Sequence, residues 1–224
     1  MDRQEMMEIM RARHSVRSYT EKAIPEDIAQ ALRQELDQCN AEGGLHLQLV
    51  TGDEHAFEGA MAHYGHFSGV RNYVALVGPA GAAGEEKLGY WGERIALTAQ
   101  RLGLNSCWVA LTFSRGAAKK RCTVREGEKL VGVLTLGYGV TQGTAHRSRP
   151  MEELCEVRGA MPDWFRTGME AVQLAPTAMN QQRFRIALDE KGQVTARSLS
   201  GFYTRVDLGI VRYHFEAATG VKVG

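Results

Sequence analysis

The sequence predicts an α+β chain, a mainly antiparallel sheet flanked by helices, and three observations carry that expectation. Strand-like and helix-like segments do not alternate with a phosphate-binding glycine turn between them, which disfavours a doubly wound parallel sheet. The order helix, strand, strand, long helix runs through residues 26–103 and starts again after Pro150. The two long helical segments also share a rhyme, because Gly92 and Gly209 stand equally far before the capping glycines Gly103 and Gly220. The chain is therefore expected to be internally duplicated. Its halves are expected at 1–150 and 151–224, intertwined as one globular unit.

Each element has its own signal. Met6, Ile9 and Met10 keep helical spacing, so a short helix delivers the chain into residues 13–17. Pro25 opens a second helix with Glu26 and Asp27 in its first turn, where the helix dipole favours negative charge. Leu45 to Val50 alternates apolar and polar residues as a half-buried strand does, and 53–64 is a weaker helix. Tyr73 to Val77 is an unbroken apolar run, hence a central strand. Leu88 to Leu102 forms the clearest helix, stopped by Gly103. Ser106–Leu111 and Leu130–Tyr138 read as strands. Beyond Pro150, a helix over Asp163–Leu174 precedes strands at Phe184–Leu188 and Val194–Leu199, and Arg205–Thr219 is a long helix ending at Gly220. Gly78 to Gly84 reads as a flexible loop able to act as a lid.

Composition bounds the function. A chain of 224 residues is long enough to bury a substantial core, and its 44% hydrophobic and 24% charged residues are ordinary for a globular protein. A formal net charge of +1 provides no global field for nucleic acid or an anionic membrane, so anion binding must come from local clusters. The four cysteines show no CxxC spacing, which argues against a zinc ribbon or a disulfide scaffold and makes a cytoplasmic setting the expectation. The first residues lack a signal-peptide core, and no apolar run is long enough to span a bilayer. His55, His63 and His66 with Glu54 and Glu58 match no metal-ligand spacing, so no metal is expected. Cys107 lies in an apolar strand and reads as packing.

Two segments carry chemistry. Arg13-His14-Ser15-Val16-Arg17 is a compact basic cluster, and an extended turn would point Arg13, Ser15 and Arg17 to one side. Guanidinium forks suit a phosphate, and Arg147 and Arg149 repeat the alternation before Pro150. Four arginines in two short turns repel one another unless an anion neutralises them. Pro176-Thr177-Ala178-Met179-Asn180-Gln181-Gln182 is the second segment. Asn180 and Gln182 each offer a carbonyl acceptor and an NH2 donor, matching the mixed edge of a pyrimidine-like ring.

Taken together these segments resemble the FMN-dependent nitroreductase family. Residues 13–17 look like its opening R-[RH]-S-x-[RK] signature, whose members contact the phosphate and ribityl chain of FMN. Residues 176–184 resemble the P-S-S-x-N-x-Q-P-W run along the isoalloxazine. Leu102-Gly103-Leu104-Asn105-Ser106-Cys107-Trp108-Val109 resembles L-G-L-G-[ST]-C-W-[IV], which lines the flavin near its N5, and Arg147-Ser148-Arg149-Pro150 resembles [KR]-x-R-x-P, which returns to the phosphate. The resemblance implies cofactor contacts from Arg13, His14, Ser15, Arg17, Trp108, Val109, Ala110, Arg147, Arg149, Pro176, Thr177, Asn180 and Gln182, with no catalytic side chain because the chemistry belongs to the flavin.

The same resemblance implies a ping-pong oxidoreductase that takes hydride from NADH or NADPH and passes electrons to a small electron-poor acceptor, such as a nitroaromatic or a quinone. The alternatives are other flavin chemistry on this scaffold, such as dehalogenation or flavin fragmentation, and a flavin-binding module without catalysis. The chain departs from the family in two places. Where ordinary members carry their P-S-x-x-N-x-Q run, it has Asp37-Gln38-Cys39-Asn40-Ala41-Glu42-Gly43-Gly44, and the usable copy lies in the second half. That arrangement is similar to the branch with two fused halves, a pseudo-dimer in one chain that binds one FMN; a further homo-oligomer is compatible with it. Arg183 and Phe184 also replace the family's Pro-Trp corner.

Overall fold

A computed structural model describes residues 2–224. Its elements run α1 (Arg3–Ala12), α2 (Glu26–Gly43), β1 (Gln48–Val50), α3 (Ala60–Tyr64), β2 (Asn72–Pro79), α4 (Ala82–Arg101), β3 (Asn105–Val109), α5 (Arg115–Lys119) and β4 (Glu128–Gly137). They continue as β5 (Cys155–Val157), α6 (Asp163–Val172), β6 (Phe184–Leu188), β7 (Val194–Ser198) and α7 (Thr204–Thr219). Strands of the first half form one antiparallel sheet in the order β1-β2-β4-β3. A smaller sheet, β5-β6-β7, joins β5 parallel to β6 and β6 antiparallel to β7. The architecture is α+β.

β2 is buried from Tyr73 to Gly78, which is why its sequence shows an apolar run instead of alternation. Val74 and Leu76 face a core built with Leu88 and Ile95 of α4 and Val206 and Ile210 of α7. Tyr73, Ala75 and Val77 face the opposite way, onto Phe57, Phe67 and Phe113. α1 closes a third cluster by setting Met6, Met7 and Met10 against Leu97, Ala171 and Ala218.

The centre of the molecule is the crossing of α4 and α7. A Cβ on Gly89 would lie 2.0 Å from the Val206 carbonyl oxygen, and one on Gly209 would lie 1.9 Å from that of Glu86. Only glycine permits backbones this close. Gly92 instead accommodates the Trp108 ring, which a Cβ there would meet at 2.5 Å.

Several sequence expectations shift. α4 starts at Ala82, before the expected Leu88, and the expected lid is instead a tight strand-to-helix turn. Gly81 adopts φ +105 there as the residue preceding the helix, and Gly84 packs so closely that a Cβ would meet the Pro79 oxygen at 1.8 Å. Gly84 serves close approach and Gly81 the positive φ of the turn. α5 and β5, which the sequence reading did not separate, are each short. Among the described residues, no helix is long and apolar enough to cross a membrane.

Candidate functional site

One cavity of about 370 Å³ gathers residues from both ends of the chain. That size lies within the roughly 300–1,000 Å³ typical of small-molecule sites. Its walls are the turn after α1, the end of β3, residues 144–146, the loop 176–180 and the first turns of α7.

The turn after α1 is extended because Arg13 leaves the helix at φ −73, ψ 115. It is then stapled to β3, where Val16 N–H donates to the Ser106 carbonyl at 3.0 Å. Ser15 and Arg17 line the cavity. Arg13 does not point with them; it is 2% exposed and turns inward to Glu93, its Nε 3.7 Å from the carboxylate. As the residue capping a helix it takes its direction from the helix end, so strand alternation does not govern it. Its Nε and Nη1 are buried without partners, as is Ser106 Oγ. His14 is half-buried beside Gly143 and outside the cavity lining, its pKa lowered by burial and by the Arg13 charge.

Trp108, Val109 and Ala110 form the wall where β3 ends. The Trp108 indole N–H donates to Glu93 at 2.8 Å, fixing the ring. Pro176, Thr177 and Asn180 line the facing loop. That loop is strained: Met179, Asn180 and Gln182 have φ of 52, 53 and 48, left-handed values that L side chains seldom adopt. Such clusters cost of order 1–3 kcal/mol per residue and persist only where surrounding contacts impose them. Here Asp207 imposes them. Buried in the first turn of α7, it accepts from Ala178 N–H at 2.9 Å and from the Gln181 amide at 2.9 Å. Burial pushes the Asp207 carboxyl up to about 6, against the lowering effect of those two donors.

Arg147, Arg149 and Gln182 stand outside the lining. Gln182 is buried and splices the two loops together: Arg149 N–H donates to its carbonyl at 2.8 Å, and its NH2 donates to the Arg147 carbonyl at 2.9 Å. Asn180 also donates to that carbonyl, at 2.8 Å. The Arg149 side chain reaches Glu153 at 3.8 Å on the surface. The loop approaches the cavity through Thr144, Ala145 and His146 instead. His146 Nε2–H donates to the Gln173 carbonyl at 3.0 Å, and burial is the largest cause of its lowered pKa.

Sequence reasoning assigned no role to His146, Asp207 or Tyr203. Tyr203 lines the cavity, enters α7 with φ 58 and donates its hydroxyl to the Val131 carbonyl at 2.6 Å. An acidic residue in the first turn of α7 is the one signal the sequence offers for Asp207. Nothing in the sequence marks Tyr203.

A family model described as "Putative TM nitroreductase" matches residues 5–219. Among solved structures, one from Thermotoga maritima described as a putative nitroreductase aligns with a TM-score of 0.67 at 20% identity, over 95% of this chain and 82% of that one. Another, from Desulfovibrio desulfuricans, is a putative nitroreductase in complex with FMN; its TM-score is 0.55 at 17% identity, over 70% of this chain and 98% of that one. These likenesses show the fold. No curated protein matches the sequence.

Proposed function

This chain belongs to the nitroreductase family, and from that premise we propose an FMN-dependent oxidoreductase that takes electrons from NADH or NADPH and delivers them, ping-pong, to an electron-poor acceptor such as a nitroaromatic or quinone. One observation carries the reading: Ser15 and Arg17 and residues 176–180, from distant parts of the chain, meet in a single cavity. The Desulfovibrio desulfuricans relative is a complex with FMN.

The donor set fits a phosphorylated flavin. Arg17 and Ser15 line the cavity, and Arg13 Nε and Nη1 and the Ser106 hydroxyl are buried without hydrogen-bond partners. Such groups cost free energy unless something oxygen-rich completes them. Leu76, Val109 and Ile210 add apolar wall for a planar ring and keep water from it. When bound, FMN supplies the two-electron chemistry. The chain's own tasks are to hold the phosphate through Arg17 and Ser15, to present the backbone of Trp108–Ala110, and to offer Asn180 and the strained loop to the ring edge. Arg147, Arg149 and Gln182 act from behind by setting that loop.

The test is to purify the protein, record its visible spectrum, titrate it with FMN, and assay NAD(P)H oxidation with and without a nitroaromatic. Absence of a flavin spectrum together with no binding of added FMN refutes the reading. A second reading, a flavin-binding module without turnover, draws on the Asn180 and Gln182 amides being bonded to the Arg147 carbonyl. Stoichiometric FMN without NAD(P)H oxidation would select it, and turnover of a halogenated substrate or of flavin itself would select other flavin chemistry.

The fused pseudo-dimer, with halves at 1–150 and 151–224, belongs to the same proposal. The offset that takes Gly92 to Gly209 and Gly103 to Gly220 also takes Gly89 to Val206. Those two residues touch where α4 crosses α7. A two-fold axis between duplicated helices requires that kind of self-related contact.

A further inference from the structure

A carboxylate and two basic side chains meet in the interior: Glu93 and His214 are 0% exposed and Arg13 is 2% exposed. Glu93 Oε1 lies 2.9 Å from His214 Nε2 and 3.7 Å from Arg13 Nε. Its Oε2 accepts the Trp108 indole N–H at 2.8 Å. The other ring nitrogen of His214, Nδ1, lies 2.9 Å from the Ala171 carbonyl oxygen. The turn after α1, α4, β3 and α7 all converge on this one carboxylate.

Proton positions follow from these partners. A carbonyl has no proton to give, so Nδ1–H donates to Ala171. A neutral imidazole carries a single N–H. With that proton on Nδ1, a bare Nε2 would face the lone pairs of Glu93 Oε1 at hydrogen-bond distance. A second proton must therefore lie between them. The indole N–H and the Arg13 guanidinium both favour the ionised carboxylate, which places that proton on His214.

We infer that His214 is a buried imidazolium, that the Arg13–Glu93–His214 cluster carries one net positive charge, and that this charge positions the anionic end of a ligand in the adjoining cavity. On the function proposed above, that end is the flavin phosphate. Two independent observations point toward a ligand. The Arg13 Nε and Nη1 nitrogens are buried without a hydrogen bond, Glu93 meeting Nε only as an ion pair at 3.7 Å. The cluster also reaches the cavity wall, because Trp108, whose indole N–H donates to Glu93, lines it. A net charge enclosed by protein is costly unless paired, and an anion in the cavity supplies the partner. Glu93 and His214 are positioning residues, acting through Arg13 and Trp108.

The experiment combines nitrogen-15 NMR of the histidine rings at pH 7.5 with Kd values for FMN and riboflavin in wild type, His214→Asn and Glu93→Gln. Both His214 ring nitrogens should carry protons. His214→Asn should weaken FMN about tenfold, the loss of one charge-assisted interaction, and leave riboflavin unchanged. Glu93→Gln removes the carboxylate charge and the extra proton together, so the preference for FMN over riboflavin should stay within about twofold of wild type. A bare Nε2, a His214→Asn protein with wild-type preference, or a Glu93→Gln protein with sharply raised FMN affinity would overturn the inference. If wild type binds neither flavin, the flavin assignment fails separately. The NMR then decides the imidazolium, and the shift in Tm produced by inorganic phosphate in wild type against His214→Asn decides the anion preference.

Discussion

At the scale of single residues, Asp207 shows how the site holds a shape that its sequence resists. The carboxyl rises from the ordinary 3.8 to about 6, chiefly through burial. A carboxyl whose folded pKa is raised adds stability at low pH, and that contribution disappears as pH climbs through the folded value. The window is therefore pH 4 to 6, and the shift corresponds to about 2 to 3 kcal/mol. Asp207→Asn should abolish it: the difference in unfolding free energy, wild type minus variant, should fall by that amount between pH 4 and 7 in urea titrations. Arg17 and Arg149 give a second prediction. Arg17 lines the cavity, whereas the Arg149 side chain pairs with Glu153 on the surface. Arg17→Ala should weaken FMN roughly 10- to 100-fold, the loss of a charge-assisted hydrogen bond of about 1.5–3 kcal/mol. Arg149→Ala should change it less than about threefold, since an exposed pair contributes little; equilibrium flavin titration separates the two.

At the scale of elements, the glycines divide by their surroundings. Gly209→Ala would place a Cβ 1.9 Å from the Glu86 carbonyl oxygen, so α4 and α7 must part. Overpacking against backbone costs about 1–3 kcal/mol and often more, and a clear drop in Tm is expected. Gly116 sits in α5 with nothing within 4 Å of an added Cβ. Gly116→Ala should stabilise by up to about 1 kcal/mol from helix propensity alone. Thermal denaturation of the pair should give opposite signs.

The same division explains what the sequence made legible. Tyr73–Val77, Asp163–Val172 and Arg205–Thr219 have strong periodic or continuous apolar patterns, because each buries a broad face against a partner. The first turns of α4 are Ala- and Gly-rich, and backbone contact with Pro79 holds them, so no side-chain pattern announces them. Ser15, Arg17 and Asn180 were legible as donors because their chemistry is local. The inward turn of Arg13 was not, since its partner Glu93 lies far along the chain and only tertiary packing brings them together.

At the scale of the whole molecule, the core cluster between α4 and α7 is shared by residues on both sides of position 150. Leu88 and Ile95 of α4 are covered by Val206 and Ile210 of α7, and Met169 and Phe215 complete the same cluster. A chain ending at residue 150 would leave that face of α4 in water. Exposing Leu88 and Ile95 alone costs about 3–6 kcal/mol at 1.5–3 kcal/mol each, a large share of the total stability of a domain. Residues 1–150 alone should therefore show no cooperative unfolding transition by circular dichroism, while the full chain shows one. The cavity follows the same logic, since its walls draw on Ser15 and Arg17 and on residues 176–180 of a single chain. On the proposed reading, one chain suffices for one site. Flavin absorbance against protein concentration should give one FMN per chain, and light scattering should give the same stoichiometry in a monomer as in any larger assembly. A ratio of one flavin to two chains would mean that a second copy completes the site, and the fused pseudo-dimer would be wrong.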